Sequence, residues 1–173
     1  ELCLVGSEMC IRDRHRLDRE TSGVMIFAKH KRHKEYLQEQ FANRDVHRVY
    51  HALVEGKPDR ENGTIREWLL EDKFLKVKAV KKNHPKAKEA ITHYTVVDFD
   101  EFASLVQLTI ETGRRHQIRV GLANLGGPVL GDEAHGAEGN PIGRIALHAS
   151  SLEFLHPETD DPVRFEAPVS YTH

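Results

Sequence analysis

The sequence predicts an α+β fold, in which a mixed and mainly antiparallel sheet is flanked by helices. Residues 90–98 and 104–111 are rich in Thr, Val, Tyr, Leu and Ile, and the short acidic link between them is typical of an antiparallel strand pair. Residues 31–44 carry apolar side chains at helical spacing. No internal repeat or interdomain linker divides the chain, so we expect one domain.

Composition favours a folded domain and limits the classes of function. Of 173 residues, 30% are charged and 39% are hydrophobic, as in globular proteins. No stretch reaches the roughly 18 uninterrupted apolar residues of a membrane helix, so we expect no membrane partner. The net charge of -2 gives no general sign of nucleic-acid binding, which must then rest on local charge. Both cysteines fall in the first ten residues, which fits a reducing, cytoplasmic setting.

The two ends of the chain differ in character from the rest. Residues 1–14 and 169–173 share no pattern with the sequence between them, and both resemble peptides translated from sequencing-adapter DNA. A signal peptide is disfavoured because charged residues follow the short apolar start too closely and no basic leader precedes it. We therefore expect non-native ends and a genuine domain at 15–168.

The first half of the chain predicts two strands around one helix. The apolar run 24–28 has the length of a strand, and residues 31–44 form the predicted amphipathic helix. Residues 46–56 alternate so that apolar side chains fall on both sides, which predicts a strand buried on both faces. Residues 64–70 fit a short strand or a turn.

The second half begins with a basic segment and ends in further strands. Residues 73–88 contain seven lysines and no acid, so a hairpin here would be either an arm for a phosphate backbone or a solvated tip. A helix is predicted from about 115 to 124, followed by a glycine-rich loop at 131–143. Residues 145–154 and 163–166 read as strands.

One carboxylate stands out in the segment HRLDRETSG at 15–23. Asp18 lies on a predicted loop that feeds a strand, a placement common for reactive groups. Its ionisable neighbours are His15, Arg16, Arg19 and Glu20. The arginines favour the ionised carboxylate. Taken alone, the segment fits a turn with surface ion pairs better than an active site, because structural ion pairs also perturb carboxylates.

A second concentration of charge lies in ETGRRHQIR at 111–119. We expect Gly113 to open a helix whose first turn carries Arg114, Arg115 and His116. Free backbone N–H groups and guanidinium donors would then converge on an anion. Arg115 and Arg119, four residues apart, would share one helical face. An arginine from this helix could pair with Asp18, although spacing alone does not establish the contact.

Five motifs in the same order resemble the RluA/RluD family of pseudouridine synthases. They are HRLDRETSG (15–23), RVYHALVEG (48–56), ETGRRHQIRV (111–120), GDEAHG (131–136) and IALHASSLEFLHP (145–157). The resemblance runs from about residue 15 to residue 168. It implies the pseudouridine synthase catalytic fold, and the first strands of that fold are expected to be missing ahead of 15–23.

The resemblance also implies roles for individual residues. Asp18 would be the catalytic carboxylate, Tyr50 the active-site tyrosine, and Arg119 the arginine that pairs with Asp18. Arg16 would fill the gap left by a uridine that leaves its stack. The residues expected to contact RNA are His15, Arg16, Arg19, Arg48, Arg114, Arg115, His116 and Gln117. Basic stretches at 29–34 and 73–88 would hold the RNA backbone.

The implied reaction converts uridine to pseudouridine in structured RNA, either rRNA or tRNA. No net redox change occurs, and the chain carries no nucleotide-cofactor fingerprint or metal-ligand spacing, so neither a cofactor nor a metal is expected. We expect a monomer that acts on RNA. The alternatives are a non-catalytic RNA-binding or ribosome-assembly module and, less favoured, a glycosidase acting on free nucleosides.

The sequence departs from the family pattern at several positions. The family usually has Lys where this chain has Arg48, and often has His where this chain has Gly121, Asn124 and Gly127. We therefore expect no catalytic role at the last three positions. Many family members also carry an S4-like RNA-binding domain ahead of the catalytic fold, and none is recognisable in this sequence.

Overall fold

A computed structural model describes residues 15–169, which form one eight-stranded sheet and two α-helices. The strands are β1 (Ser22–Gly23), β2 (His47–Glu55), β3 (Asn62–Glu71), β4 (Val77–Val80), β5 (Lys88–Phe99), β6 (Ala103–Ile110), β7 (Leu147–Leu155) and β8 (Pro162–Glu166). The helices are α1 (Lys31–Asn43) and α2 (Gln117–Asn124), and a short 3-10 helix spans Glu133–His135. The expected non-native segment 1–14 and most of the expected tail lie outside the described residues.

The sheet is mixed and mainly antiparallel, as predicted. Its order is β1-β7-β2-β6-β5-β3-β4, and β8 pairs with β7. Only the pairing of β1 with β7 is parallel among the described strands. The predicted pair 90–98 and 104–111 corresponds to β5 and β6, and the ambiguous segment 64–70 lies within β3. The lysine-rich segment forms the end of the β3–β4 hairpin, β4 and the turn that leads into β5.

The central core lies between the sheet and α2. Tyr50 and Val54 of β2 are buried in the same cluster as Ile118 and Leu122 of α2. The opposite side of β2 is only partly buried, so the prediction of a strand buried on both faces is wrong. The alternation came instead from one face that packs against α2 and one face that stays half open.

Helix α1 closes a second, smaller cluster. It buries Leu37 and Phe41, which pack with Leu152 and Phe154 of β7. The helix begins and ends within one residue of the predicted range 31–44. No helix within residues 15–169 is both long and apolar enough to cross a bilayer.

The apolar run 24–28 is not a strand, contrary to the prediction. After Val24 donates a backbone hydrogen bond to Ala149, the chain leaves the sheet. The same edge of β7 is occupied from Ser151 onward by β8, so residues 24–28 have no free partner there. They lie instead over the second cluster, to which Val24, Ile26 and Ala28 contribute.

We expect Gly131→Ala to destabilise the loop that follows α2. Gly131 has φ +81, and an added Cβ would lie 2.3 Å from the carbonyl oxygen of Arg144. Backbone strain together with this clash should lower the free energy of unfolding by at least about 2 kcal/mol. Gly136→Ala is the matched control in the same loop, because Gly136 has φ +96 but nothing within 4 Å of its Cβ position. Equal losses for both variants in urea unfolding would contradict the clash.

Candidate active site

The loop that carries Asp18 is fixed at both ends. On one side His15 is buried and stacks on Phe41 with ring centroids 5.1 Å apart. On the other side the backbone N–H of Thr21 donates to the carbonyl of Asp18 at 3.0 Å, which closes a turn before β1. The carboxylate is therefore presented by a rigid segment, and its side chain is 14% exposed.

Arg119 is held by a carboxylate that the sequence analysis did not single out. In α2, Arg119 Nε donates to Asp132 Oδ2 at 2.6 Å, and Nη2 donates to Oδ1 at 2.7 Å. Both side chains are buried, Asp132 almost completely. This two-point contact fixes the plane of the guanidinium group and leaves its third nitrogen, Nη1, for another partner.

That third nitrogen faces Asp18. Arg119 Nη1 lies 3.5 Å from Asp18 Oδ2, at the outer limit of a hydrogen bond. Burial by itself would lower the pKa of Arg119, but hydrogen bonds and charge from Asp132, with a contribution from Asp18, outweigh it and raise that pKa. Arg119 is thus a permanent cation aimed at one oxygen of Asp18.

The other oxygen of Asp18 faces a pair of histidines. His116 Nε2 lies 4.0 Å from Asp18 Oδ1, and His116 Nδ1 lies 3.0 Å from His135 Nε2. Burial lowers the pKa of both histidines, although Asp18 opposes the shift at His116 and Asp132 opposes it at His135. The tautomers that suit this series of contacts have a proton on His135 Nε2, which donates to His116 Nδ1. A second proton lies on His116 Nε2, which points to Asp18.

Tyr50 completes the pocket from the sheet side. Its side chain is buried, and burial, followed by the charge of Asp18, raises the pKa of the phenol while Arg48 opposes the rise. Tyr50 is therefore a neutral phenol at pH 7. Asp18, Tyr50 and Arg119 line one pocket. Three residues that lie on a loop, a strand and a helix far apart in sequence are brought together.

The residues predicted to contact RNA fall into two groups. Arg19 and His15 lie outside the residues that line the pocket; Arg19 is exposed, and His15 is buried. The remaining members line the pocket with Asp18: Arg16, Arg48, Arg114, Arg115, His116 and Gln117. Of these, Arg115 also forms an ion pair with Glu71 at 3.0 Å, which ties the pocket to the end of β3.

Gln117, one of the residues predicted to contact RNA, has its side-chain amide engaged within the protein. Its amide oxygen accepts from the Thr112 hydroxyl at 2.7 Å and from the backbone N–H of Arg114 at 3.1 Å. Its amide nitrogen donates to the carbonyl of Ile91 and the hydroxyl of Thr92, both at 2.9 Å. All of its hydrogen-bonding capacity is used inside the protein, so Gln117 joins α2 to β5 and shapes the pocket floor.

This network also explains where α2 begins. The helix was predicted from about 115 with Gly113 at its start, but it begins at Gln117. His116 has φ 52, in the left-handed region, which interrupts the helical path before Gln117. Arg115 and Arg119 therefore do not share a helical face, and the loop before α2 turns His116 toward Asp18.

His15 is likewise a buried packing residue, and its burial has a consequence for stability. Burial, followed by the charge of Arg48, lowers the pKa of His15 from 6.5 to about 4. The unfolded chain then binds the proton more readily between these values. The neutral form of His15 therefore stabilises the fold fully above pH 6.5. As pH falls from 6.5 toward 4, protonation of the unfolded chain lowers the free energy of unfolding by roughly 2–4 kcal/mol.

We expect the free energy of unfolding of His15→Phe to fall less with decreasing pH than that of the wild type. The phenyl ring keeps the stack on Phe41 and removes the titrating group, so urea unfolding between pH 7 and pH 4 should show a smaller loss of free energy. The pKa values of His51, His116 and His135 are also lowered by burial, so these residues still make the variant's stability depend on pH. His30→Gln, at an exposed position, is the control. Identical slopes for His15→Phe and wild type would contradict the burial argument.

Sequence reasoning missed Asp132 and His135 as members of the site. Both lie in GDEAHG, which the sequence analysis quoted only as one of the five motifs that resemble the family and to which it gave no site residue. The available signal was the buried arginine itself, because a cation in a packed helix requires a carboxylate partner. No group of three metal-binding side chains occurs within residues 15–169.

Comparison with known proteins places the chain in a family. The family model described as RNA pseudouridylate synthase matches residues 12–124. A Bacillus subtilis (strain 168) protein named uncharacterized RNA pseudouridine synthase YhcT is 39% identical over 167 residues, covering 95% of this chain and 55% of its own length. The Xanthomonas campestris pv. campestris ribosomal large subunit pseudouridine synthase D is 37% identical over 169 residues, covering 90% and 50%.

A solved structure agrees with these relatives. The human protein RNA pseudouridylate synthase domain containing 1 superposes with a TM-score of 0.77 at 27% identity, over 90% of this chain and 67% of the human chain. The chain belongs to the RNA pseudouridylate synthase family, and its relatives named ribosomal large subunit pseudouridine synthases C and D confirm the predicted RluA/RluD type. It spans about half the length of the curated relatives it matches.

Proposed function

We propose that the protein isomerises uridine to pseudouridine within structured RNA and that Asp18 is its catalytic carboxylate. The observation that carries this proposal is the pocket shared by Asp18, Tyr50 and Arg119. In the reaction the N1–C1′ bond breaks, the uracil turns while held, and C5 bonds to C1′. The proton on C5 is released and N1 becomes protonated, so atoms and charge balance without a redox partner.

An ionised, partly desolvated carboxylate is suited to two routes through this reaction. It can attack C1′ to form a covalent ester, or it can remove the proton from C2′ of the ribose. Arg119 holds one carboxylate oxygen, and the more open oxygen, Oδ1, faces His116 across 4.0 Å. The geometry supports either route, because both require one free oxygen on a carboxylate of fixed orientation.

Tyr50 and the surrounding cations fit the remaining demands of the reaction. A neutral phenol in the pocket wall offers a flat ring for the uracil to stack on and a hydroxyl that can assist at C5. The target base must leave its stack to reach Asp18, and Arg16, an exposed residue that lines the pocket, would occupy the gap. The lysine-rich β3–β4 segment borders an adjacent groove that also includes Arg16.

We infer that rRNA is the substrate, in a cytoplasmic setting. The support is that two relatives are named for the ribosomal large subunit. tRNA is the second candidate substrate and forms a separate arm of the test. Because the chain spans about half the length of the curated relatives it matches, the full-length protein should be used in every assay.

The proposal is tested by incubating that protein with rRNA and tRNA transcripts carrying tritium at C5 of uridine. Isomerisation releases the tritium into water, and chemical mapping of pseudouridine locates the modified position. Release of free uracil would indicate a glycosidase instead. RNA that is bound by the protein but gains no pseudouridine would favour a non-catalytic binding module and refute the enzyme.

A further inference from the structure

Arg48 is a buried cation without a carboxylate partner. Its side chain lies on β2 two residues before Tyr50, and the residue is 6% exposed. No carboxylate of residues 15–169 lies within 4.0 Å of its guanidinium group. A buried charge normally has a partner of opposite sign, because burial without one is costly.

The contacts that Arg48 does make leave its hydrogen-bonding capacity largely unused. Nη2 lies 3.4 Å from the carbonyl oxygens of Ile110 and Glu111, which is long for a charged donor. Nε is buried and has no hydrogen-bond partner. The guanidinium carbon lies 5.5 Å from the centre of the Phe41 ring, a weaker interaction than an ion pair.

The location of Arg48 indicates which kind of anion would be its missing partner. Arg48 lines the pocket that holds Asp18 and Tyr50, and it also lines a neighbouring groove beyond Gly113. The charged residues of that groove are Arg44, Arg48, Lys88, Arg114 and Glu111. Glu111 is already engaged by Arg44 at 2.9 Å and by His93 at 2.8 Å. The groove therefore presents more positive than negative charge, and it shares Arg48 and Gly113 with the pocket.

We propose that Arg48 binds the phosphodiester group next to the target uridine where the RNA strand leaves the pocket for this groove. The inference rests on the proposed function, because it assumes that the uridine lies against Asp18. A phosphate oxygen would take the unpartnered Nε–H, and a second oxygen would replace one of the long carbonyl contacts of Nη2. Such a two-point contact is one that arginine makes well and lysine makes poorly.

Burial is consistent with a site that is completed by an anion. Desolvation lowers the pKa of Arg48, with Tyr50 opposing the shift. An incoming phosphate would supply the opposite charge that the folded protein does not provide. Arg48 is thus a binding residue whose ligand is negatively charged at every pH of interest.

The test uses fluorescein-labelled pentauridylate as the probe and fluorescence anisotropy as the measurement. Arg48→Gln should weaken binding by about tenfold or more, which is the expected loss for a charged hydrogen bond. Arg48→Lys should lie in between, and Arg144→Gln, at a half-buried arginine outside the pocket, should change binding little. A pentauridylate in which methylphosphonates replace the phosphates should bind wild type weakly and be insensitive to Arg48→Gln.

A second measurement needs no variant and no activity. In proton–nitrogen correlation spectra of the wild-type protein, the Arg48 Nε–H signal should shift when pentauridylate or inorganic phosphate is added, but not with uridine nucleoside. The inference is overturned if this signal does not move, if pentauridylate fails to bind, or if Arg48→Gln and Arg144→Gln weaken binding equally. Pseudouridine assays distinguish the two failures: binding through Arg48 without isomerisation would refute the proposed function and leave only the phosphate contact of Arg48, without a target uridine beside it.

Discussion

Asp18→Asn is expected to abolish pseudouridine formation while the protein still folds and binds RNA. Asparagine has the same shape but carries no charge, and its amide can neither attack C1′ nor take a proton from C2′. The rate should fall by roughly a thousandfold or more. Tritium release from uridine at C5 measures the rate, and anisotropy with the same RNA measures binding.

The fold should tolerate this substitution because Arg119 has another partner. Two guanidinium nitrogens already bind Asp132 at 2.6 and 2.7 Å, whereas the contact with Asp18 is 3.5 Å. Losing the longer contact leaves the buried cation neutralised. Asp59→Asn, at an exposed turn position, serves as the control. Near-normal turnover by folded Asp18→Asn would remove the carboxylate from the mechanism.

The sequence predicted the parts of the fold that depend on local pattern. Composition rich in Thr, Val, Tyr, Leu and Ile identified β5 and β6, and a segment with apolar side chains on both sides identified β2. Helical spacing placed α1 within one residue of its ends. The three residues around the pocket were located through motifs. Each of these features is encoded by residues close to one another along the chain, so a reading of short segments can find it.

The failures have long-range causes. Residues 24–28 have the composition of a strand, but β8, more than 130 residues later, occupies the edge they would need. The start of α2 is set by Gln117, whose partners lie on β5. Asp132 was missed because its role depends on contact with Arg119, and no local pattern reports that contact. Arg48 was assigned to RNA binding by resemblance, but its lack of a carboxylate partner is visible only in the structure.

Asp132→Asn is expected to be the most destabilising conservative change in the site. Its carboxylate is the main neutralising partner of a buried arginine, and an amide nitrogen in its place would face guanidinium donors. Removing one partner of a buried ion pair costs about 3–5 kcal/mol of unfolding free energy. Glu89→Gln, which breaks the largely exposed pair with Arg66, should cost less than about 1 kcal/mol in the same urea titrations.

A double substitution separates the structural role of this pair from its role in the site. Arg119→Met combined with Asp132→Leu removes both charges and fills the space with apolar side chains. It should recover much of the stability lost by Asp132→Asn, because well-packed apolar residues often replace buried ion pairs without loss. Pseudouridine formation should nevertheless stay at least about a hundredfold below wild type, because Asp18 then lacks the cation that faces its Oδ2 atom. If the double variant regained both stability and turnover, Arg119 would be a structural residue and the arrangement of Asp18 would depend on His116 alone.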